Sequence, residues 1–174
     1  MHPVLETDRL RLRLWREDDL DAFADFCADE GSTRYLGGVC AREDAWRRMA
    51  VITGHWALRG YGIWVIEDKA TGQFAGYSGL WNPEGWPGQE VTWSVSAAFR
   101  RRGYAVEAAR RARAYAYDEL NWPTAVSVIH PDNVPSKRVA DRVGAVPEKR
   151  IELRGSPVDV YRHPGPGEAD TEQH

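Results

Sequence analysis

Apolar and polar residues follow a regular order of strand-like and helix-like patterns in the first third of this chain. From Leu10 to Trp15, leucines occupy every second position, which predicts a half-buried strand. Apolar residues then recur at helical spacing from Leu20 to Cys27, before Gly31, and again from Arg42 to Leu58. This part of the chain therefore predicts one strand followed by two amphipathic helices.

Strand patterns dominate the middle of the chain. The runs 63–67 and 74–81 are rich in β-branched and aromatic residues, and they flank a turn that ends in Gly72, so they predict a hairpin. Residues 82–88 contain too much Pro and Gly for regular structure, and residues 90–95 then predict a further strand. Together these segments predict three consecutive antiparallel strands.

The last third alternates between helix and strand. An Ala-rich segment predicts a helix from Tyr104 to Leu120, and residues 125–129 predict a short strand. A short helix follows, with Pro135 near its first turn and Gly144 just past its end, before the last strands between residues 151 and 160. This order predicts an α+β fold built around one mixed sheet.

Length and composition fit a single globular domain. The chain has 174 residues, of which 43% are hydrophobic and 28% charged, so it can bury a core without disulfides or metal. From residue 163 onward the sequence offers little to bury, and we expect a domain at 1–162 followed by a flexible tail at 163–174. The net charge of −3 argues against nucleic acid as the main partner.

Cysteine usage and hydropathy restrict the compartment and the chemistry. Only Cys27 and Cys40 occur, without the spacing of a zinc site or a disulfide framework, so we expect no metal. No stretch approaches the roughly 18 apolar residues of a membrane span, and residues 1–9 do not resemble a secretion leader. We therefore expect a cytoplasmic protein that does not bind membranes.

The strongest local motif is a basic turn between a strand and a helix. After Val95, residues 100–102 are three arginines, and Gly103 precedes the long helix. Free backbone amides at a helix start, the helix dipole and arginine side chains all favour an anion, and a pyrophosphate suits this arrangement. A solvated basic turn is the structural alternative. The turn contains neither a triphosphate-binding P-loop nor a three-glycine dinucleotide fingerprint.

The RxxGxA pattern of this turn resembles the acetyl-CoA loop of the GCN5-related N-acetyltransferases, the GNAT superfamily. The opening residues 5–13, the strand 90–95 and the segment 130–136 followed by 143–145 are similar to the RimJ/RimL-like branch, which acetylates the N-termini of ribosomal proteins. The resemblance covers roughly residues 5–162. It implies a mostly antiparallel central sheet flanked by helices, with a splayed strand pair at the cofactor site.

The resemblance also implies a set of residues for acetyl-CoA, the expected cosubstrate. Val95 would offer backbone hydrogen bonds to the pantetheine arm, and Asn133 and Ser136 would contact its far end near the sulfur. The residues that would cradle the pyrophosphate are Arg100, Arg101, Arg102, Gly103, Tyr104 and Ala105.

Acetyl transfer to an amine needs a proton acceptor and a group that stabilises the leaving thiolate. Amines are mostly protonated near pH 7, and Glu90 matches an acidic position of the related branch, so it is the candidate acceptor. The alternative for Glu90 is a solvated strand-end carboxylate. Ser136 is the candidate that protonates or hydrogen-bonds the thiolate, and its alternative is a first-turn helix residue that satisfies backbone amides.

Aromatic residues supply candidates for the acceptor site. Trp81, Trp86 and Trp93 surround the Pro/Gly-rich loop, where they would either line an acceptor pocket or fasten the loop to the sheet. Tyr35 follows the first helix, in a region that shapes the acceptor site of related enzymes. We expect a structural role for His55, which has no paired nucleophile or carboxylate.

The function that the resemblance implies is direct acetyl transfer from acetyl-CoA to a primary amine in a ternary complex. A protein N-terminal α-amine is the favoured acceptor, while a polyamine, an amino sugar, an antibiotic or an amino acid remains open. A non-catalytic CoA-binding regulatory domain is the alternative from another class. A homodimer is possible, because many proteins of this fold pair through sheet edges.

Overall fold

An eight-stranded sheet with the order β1-β2-β3-β4-β5-β6-β8-β7 forms the centre of the protein. The computed structural model describes residues 3–168. The strands are β1 (Leu5–Glu6), β2 (Leu10–Arg13), β3 (Ile63–Asp68), β4 (Phe74–Trp81), β5 (Glu90–Val95), β6 (Val126–Ile129), β7 (Val146–Leu153) and β8 (Ser156–Arg162). The helices are α1 (Leu20–Ala28), α2 (Glu30–Thr33), α3 (Arg42–Arg59), α4 (Tyr104–Asp118) and α5 (Val134–Arg142).

The structure confirms the predicted mixed sheet and most predicted elements. The three strands of the central meander, β3 to β5, and the helices α1, α3 and α4 lie within two residues of their predicted limits. The C-terminal strand β7 begins at Val146, five residues before the predicted start at Ile151. Its side chains are exposed at almost every position, so no alternation of apolar and polar residues marked where it starts.

Two hydrophobic clusters cover the two faces of the sheet. The larger cluster joins α4 to β2, β3, β4 and β5, and the four alanines Ala108, Ala109, Ala112 and Ala116 bring this helix close to the strands. The smaller cluster joins α1 and α3 to Tyr77 of β4. Residues 90, 92 and 94 of β5 therefore face α1 and α3, whereas residues 91, 93 and 95 face α4.

The pair β5/β6 is the one parallel join of the sheet within residues 3–168. All other neighbouring strands are antiparallel, with two to seven residue pairs each, whereas β5 and β6 share only the pair Glu90↔Val126. Beyond that pair the two strands diverge. The structure therefore contains the splayed strand pair that the family resemblance implied, and the splay begins at Glu90.

The end of the folded domain differs from the expected boundary at residue 162. His163 is only 3% exposed and contacts side chains of α4 and β6, so ordered packing continues past the last strand. Tyr117 also donates its hydroxyl to the carbonyl of Pro164. The sequence did not reveal this because the packing depends on partners more than 30 residues away. The predicted tail residues 169–174 lie outside the described residues.

No helix within residues 3–168 combines the length and apolar character that crossing a bilayer requires.

Candidate functional site

The edge of β5 that faces β6 is open above the apex of the splay. The carbonyl of Val91 points toward β6, where it accepts a hydrogen bond from the Ser127 hydroxyl. Backbone groups alternate along a strand, so Trp93 and Val95 direct theirs toward the same gap. The Val95 carbonyl accepts a long hydrogen bond from Arg100 Nε, at 3.4 Å, and pairing of this strand edge with the pantetheine arm stays a prediction.

Backbone amides converge on the loop between β5 and α4. Within the described chain, no hydrogen bond uses the N–H groups of residues 101–106, and no side chain caps the helix at Gly103. Gly103 has φ +80°, a conformation that most side chains strain to adopt. Unsatisfied amides at the positive end of a 15-residue helix provide the donors that a pyrophosphate needs.

The side chains of Arg102 and Tyr104 in this loop contact other residues and do not bind the free backbone amides. Arg102 lies over the Phe99 ring, and the Tyr104 hydroxyl donates to the Asp68 carboxylate at 2.6 Å. Tyr104 therefore reaches a ligand only through its backbone N–H, since its side chain is 6% exposed. The predicted cradle of residues 100–105 is thus mainly a backbone site, with Arg101 exposed at its rim.

A short segment around α2 contacts both sides of the splay. Arg100, which follows β5, donates to the Ser32 hydroxyl at 2.8 Å and forms an ion pair with Asp29. Tyr35 donates to the Asp132 carbonyl at 3.0 Å and stacks on His130, both of which follow β6. The predicted acceptor residue Tyr35 therefore lies over the β6 side of the opening and not beside Glu90.

Glu90 is buried at the apex of the splay. Its Oε2 accepts from the Trp86 indole N–H at 2.6 Å, and its Oε1 accepts from the Val128 backbone N–H at 3.1 Å. Burial raises the pKa of Glu90 to about 8, although both hydrogen bonds favour the ionised form. The structure therefore places a carboxyl group with a pKa near that of an α-amine, and the solvated strand-end alternative is wrong.

The stability of the protein should fall between pH 6.5 and 8 because of Glu90. Its pKa in the folded state, about 8, lies above the 4.5 of an exposed glutamate, so the folded protein keeps a proton that the unfolded chain has released. Over this window the difference lowers the free energy of unfolding by roughly 2 kcal/mol as pH rises. Urea unfolding at both pH values should show this loss in the native protein, and Glu90→Gln should remove it. An unchanged pH dependence in the variant would contradict the burial of an ionisable group here.

The three tryptophans near the loop divide between the two faces of the sheet. Trp86 bonds Glu90, and Trp81 is the direct cross-strand partner of Glu90, so both lie beside the carboxyl group. Trp93 lies on the opposite face of β5 and packs in the main cluster near His163. Of the three tryptophans predicted either to line an acceptor pocket or to fasten the loop, Trp81 and Trp86 therefore lie on the Glu90 side of the sheet and Trp93 does not.

A stacked histidine and an arginine support these two tryptophans. The His55 ring stacks on Trp81 with centroids 4.5 Å apart, and its two nitrogens contact the backbone of Tyr61 and Asn82. This confirms the predicted structural role of His55. Arg154, at the tip of the β7–β8 hairpin, lies over the Trp86 ring at 5.6 Å.

Asn133 and Ser136 begin α5, directly after β6. The Asn133 side chain accepts from the Ser136 backbone N–H at 3.2 Å and so caps the helix. The Ser136 hydroxyl takes part in no hydrogen bond within the described residues and is partly exposed. The capping function that we considered for Ser136 thus belongs to Asn133, and the Ser136 hydroxyl stays available to a ligand.

Three buried polar residues at the splay were not identified from the sequence. Ser127, His163 and Arg113 form a hydrogen-bonded chain that ends at Val91, the neighbour of Glu90. They come from β6, the segment after β8 and α4. No local motif connects residues that lie so far apart in the sequence. The one sequence signal was a histidine, His163, within the predicted tail.

A domain family described as acetyltransferase (GNAT) domain matches residues 9–146 of this chain. The uncharacterised protein YkkB of Bacillus subtilis is 33% identical over 164 residues, which cover 90% of this chain and 93% of YkkB. The uncharacterised N-acetyltransferase YnaD of the same organism is 28% identical over 80% of this chain and 81% of its own length.

Solved structures share the same architecture. An acetyltransferase from Agrobacterium tumefaciens superimposes with a TM-score of 0.84 at 31% identity, covering 93% of this chain and 94% of its own. RimL, a ribosomal L7/L12 α-N-protein acetyltransferase solved with coenzyme A, superimposes with a TM-score of 0.74 at 17% identity, covering 92% of this chain and 97% of its own. At that identity the second likeness shows the fold alone.

Proposed function

This chain belongs to the GNAT acetyltransferase family and is an acyltransferase, and we propose that it acetylates a primary α-amine by direct attack on acetyl-CoA. Glu90 is the proton acceptor in this proposal. The observation that carries it is the position of Glu90, which is a buried carboxyl group at the apex of the splayed strands. Trp81 and Trp86 form an apolar wall beside it.

The proposed site assigns the two ends of acetyl-CoA to different elements. The free N–H groups of residues 101–106 hold the pyrophosphate, and the open edge of β5 at Val95 pairs with the pantetheine arm. Asn133 and Ser136 lie at the start of α5, across the opening. The cosubstrate supplies the acetyl group as a thioester.

The protonation chemistry favours an α-amine over a lysine side chain. A free α-amine has a pKa near 8, whereas a lysine side chain has a pKa near 10.4. Burial raises the pKa of Glu90 to about 8, so an α-ammonium group can pass its proton to Glu90 at almost no cost in free energy. A lysine ammonium group is a weaker acid than Glu90 by more than two pKa units, so the same proton transfer from lysine would be unfavourable. The neutral amine then attacks the thioester carbon, the C–S bond breaks, and the second proton that the nitrogen loses passes to the departing thiolate, beside the Ser136 hydroxyl, so that the products are the amide and CoA.

The identity of the α-amine is the finer part of this proposal. Two structural neighbours are named for acetylation of ribosomal proteins: RimL, a ribosomal L7/L12 α-N-protein acetyltransferase, and a ribosomal-protein-S5-alanine acetyltransferase from Vibrio fischeri. Those chains are 15–17% identical to this one and therefore support the fold and not the acceptor. The RimJ/RimL-like assignment and a protein N-terminus as acceptor rest on the sequence resemblance and on the pKa match.

Replacing Ser136 with Ala should lower kcat about 10- to 100-fold while the Kd for acetyl-CoA stays nearly unchanged. The hydroxyl would hydrogen-bond the departing thiolate, and a thiol with a pKa near 8.5 is a good leaving group, so the loss should be moderate. Thiol release under saturating acetyl-CoA measures this effect. An unchanged kcat would remove Ser136 from the mechanism.

Ligand titration followed by an acceptor screen tests the proposed function. Acetyl-CoA and CoA should raise the unfolding temperature, whereas ATP and NADH should not, because a ligand at 100 times its Kd stabilises the folded state by about 2.7 kcal/mol. Thiol release is then measured with peptides bearing a free N-terminus, with N-acetylated peptides that contain lysine, and with polyamines, amino sugars and free amino acids. Turnover confined to free α-amines supports the proposal. Binding of CoA without turnover of any amine would support the regulatory-domain alternative.

A further inference from the structure

At the point where β5 and β6 separate, hydrogen bonds from side chains take the place of backbone-to-backbone hydrogen bonds. Ser127 of β6 donates its hydroxyl to the Val91 carbonyl of β5 at 2.5 Å. In the other direction, Glu90 of β5 accepts from the Val128 N–H of β6 at 3.1 Å. Each strand therefore lends one side chain to an unpaired backbone group of the other, directly next to the only residue pair that β5 and β6 share.

Two further residues fix the direction of the Ser127 hydroxyl. Arg113 lies 3.1 Å from Nδ1 of His163, and an arginine can only donate, so Nδ1 is the acceptor. The proton of the neutral ring is then on Nε2, which lies 2.8 Å from the Ser127 oxygen and donates to it. With its oxygen occupied in this way, Ser127 directs its own proton to the Val91 carbonyl.

This hydrogen-bonded chain is sealed from solvent. Ser127, His163 and Arg113 are 1%, 3% and 5% exposed. Arg113 is anchored by a second bond, 2.6 Å long, to the Val143 carbonyl at the end of α5. The chain thus ties the apex of the splay to α4 and to the segment after β8, and water has no access to replace any of its members.

We infer that Ser127, oriented by His163 and Arg113, is a positioning residue that keeps β5 and β6 apart and holds Glu90 in place for catalysis. Without its hydroxyl, the Val91 carbonyl would lose its partner in a buried site. The Val91 carbonyl would regain a partner if β5 moved to pair with backbone N–H groups of β6. That movement would narrow the opening and release Val128 from Glu90, so both cofactor binding and proton transfer would suffer. The inference rests on the proposed roles of Glu90 and of the open strand edge.

Ser78 provides a matched control within the same sheet. It is fully buried, and its hydroxyl donates to the Thr92 carbonyl of β5 at 2.8 Å. The bond has the same chemistry as that of Ser127, but it lies where β4 and β5 pair continuously. Loss of the Ser78 hydroxyl therefore removes a comparable hydrogen bond at a place where the two strands are already paired and have no opening to close.

The test compares the wild-type protein with Ser127→Ala, Ser127→Thr and Ser78→Ala. Unfolding temperature, Kd for CoA and kcat for thiol release are measured for each protein. We expect Ser127→Ala to raise the Kd and to lower kcat, each by about 10-fold, whereas Ser78→Ala changes both less than about 2-fold. Ser127→Thr keeps a hydroxyl and should recover most of kcat.

A second variant covers the case in which Ser127→Ala fails to fold. His163→Leu leaves the Ser127 hydroxyl but removes the ring N–H that orients it, and it should lower kcat by a smaller factor in the same direction. Equal kinetics for the Ser127→Ala and Ser78→Ala variants would overturn the inference, as would wild-type kinetics for a folded His163→Leu variant. If the wild-type protein itself released no thiol with any amine, the proposed function would fail instead.

Discussion

Replacing Glu90 with Gln is expected to lower kcat by about 100- to 10,000-fold, the range that a general base contributes. Gln keeps the size of Glu90 but cannot accept a proton from the attacking amine. The Kd for acetyl-CoA should change little, because the loop residues 101–106 and the open edge of β5 do not depend on that carboxyl group. Steady-state thiol release and equilibrium titration together measure this separation of kcat from binding.

A control variant and the pH profile sharpen the Glu90 experiment. Glu84→Gln changes another carboxylate of the same region, but Glu84 is fully exposed and forms only a loose ion pair with Arg59 at 3.7 Å, so kcat should not change.

In the wild-type protein kcat/KM should rise toward a plateau above pH 8, since Glu90 must lose its proton to act as a base. A Glu90→Gln variant with wild-type kcat would remove Glu90 from the mechanism.

Replacing Gly103 with Asp is expected to raise the Kd for acetyl-CoA about 100- to 1,000-fold. A carboxylate there would lie next to the free amides where the pyrophosphate binds, and two like charges about 4 Å apart repel by about 4 kcal/mol near a protein surface. Asp tolerates the left-handed conformation of Gly103 better than most residues, and a negative charge suits a helix N-terminus. The unfolding temperature should therefore stay near the wild-type value.

Gly103→Asn separates the charge effect from the steric effect. Asn has the same shape and a similar tolerance for positive φ, so its Kd should rise by less than about 10-fold. In either variant the new Cβ would lie 3.4 Å from the flexible end of Arg9, whose guanidinium is already paired with Glu107. Equal Kd values for the Asp and Asn variants would indicate that no anion binds at the loop.

The sequence predicts those parts of the fold that short-range patterns determine. The leucines at every second position from Leu10 mark the strand β2, and the start of α4 follows from Gly103 and the alanine-rich run behind it. By contrast, β7 is exposed along nearly its whole length and carries no period. Its place at the sheet edge depends on pairing with β8, which a local pattern does not encode.

The candidate site divides in the same way. Glu90 and the loop after β5 were identified because they belong to a contiguous motif. The burial of Glu90 was not predictable, since it depends on Trp86 and Val128, which reach the carboxyl group from two different segments. Trp93 was one of three tryptophans predicted to line an acceptor pocket or to fasten the loop, but side chains alternate along a strand, and Trp93 lies on the face of β5 opposite to Glu90.

A crystal structure of the protein with CoA would test the central claim, that the opening between β5 and β6 is the catalytic site, most directly. We expect the pyrophosphate on the amides of residues 101–106, the pantetheine arm paired with the backbone of Val95, and the thiol between Glu90 and Ser136. The Ser127 bond to Val91 should persist in the complex. A structure with CoA bound elsewhere, or with β5 and β6 paired along their whole length, would contradict this account.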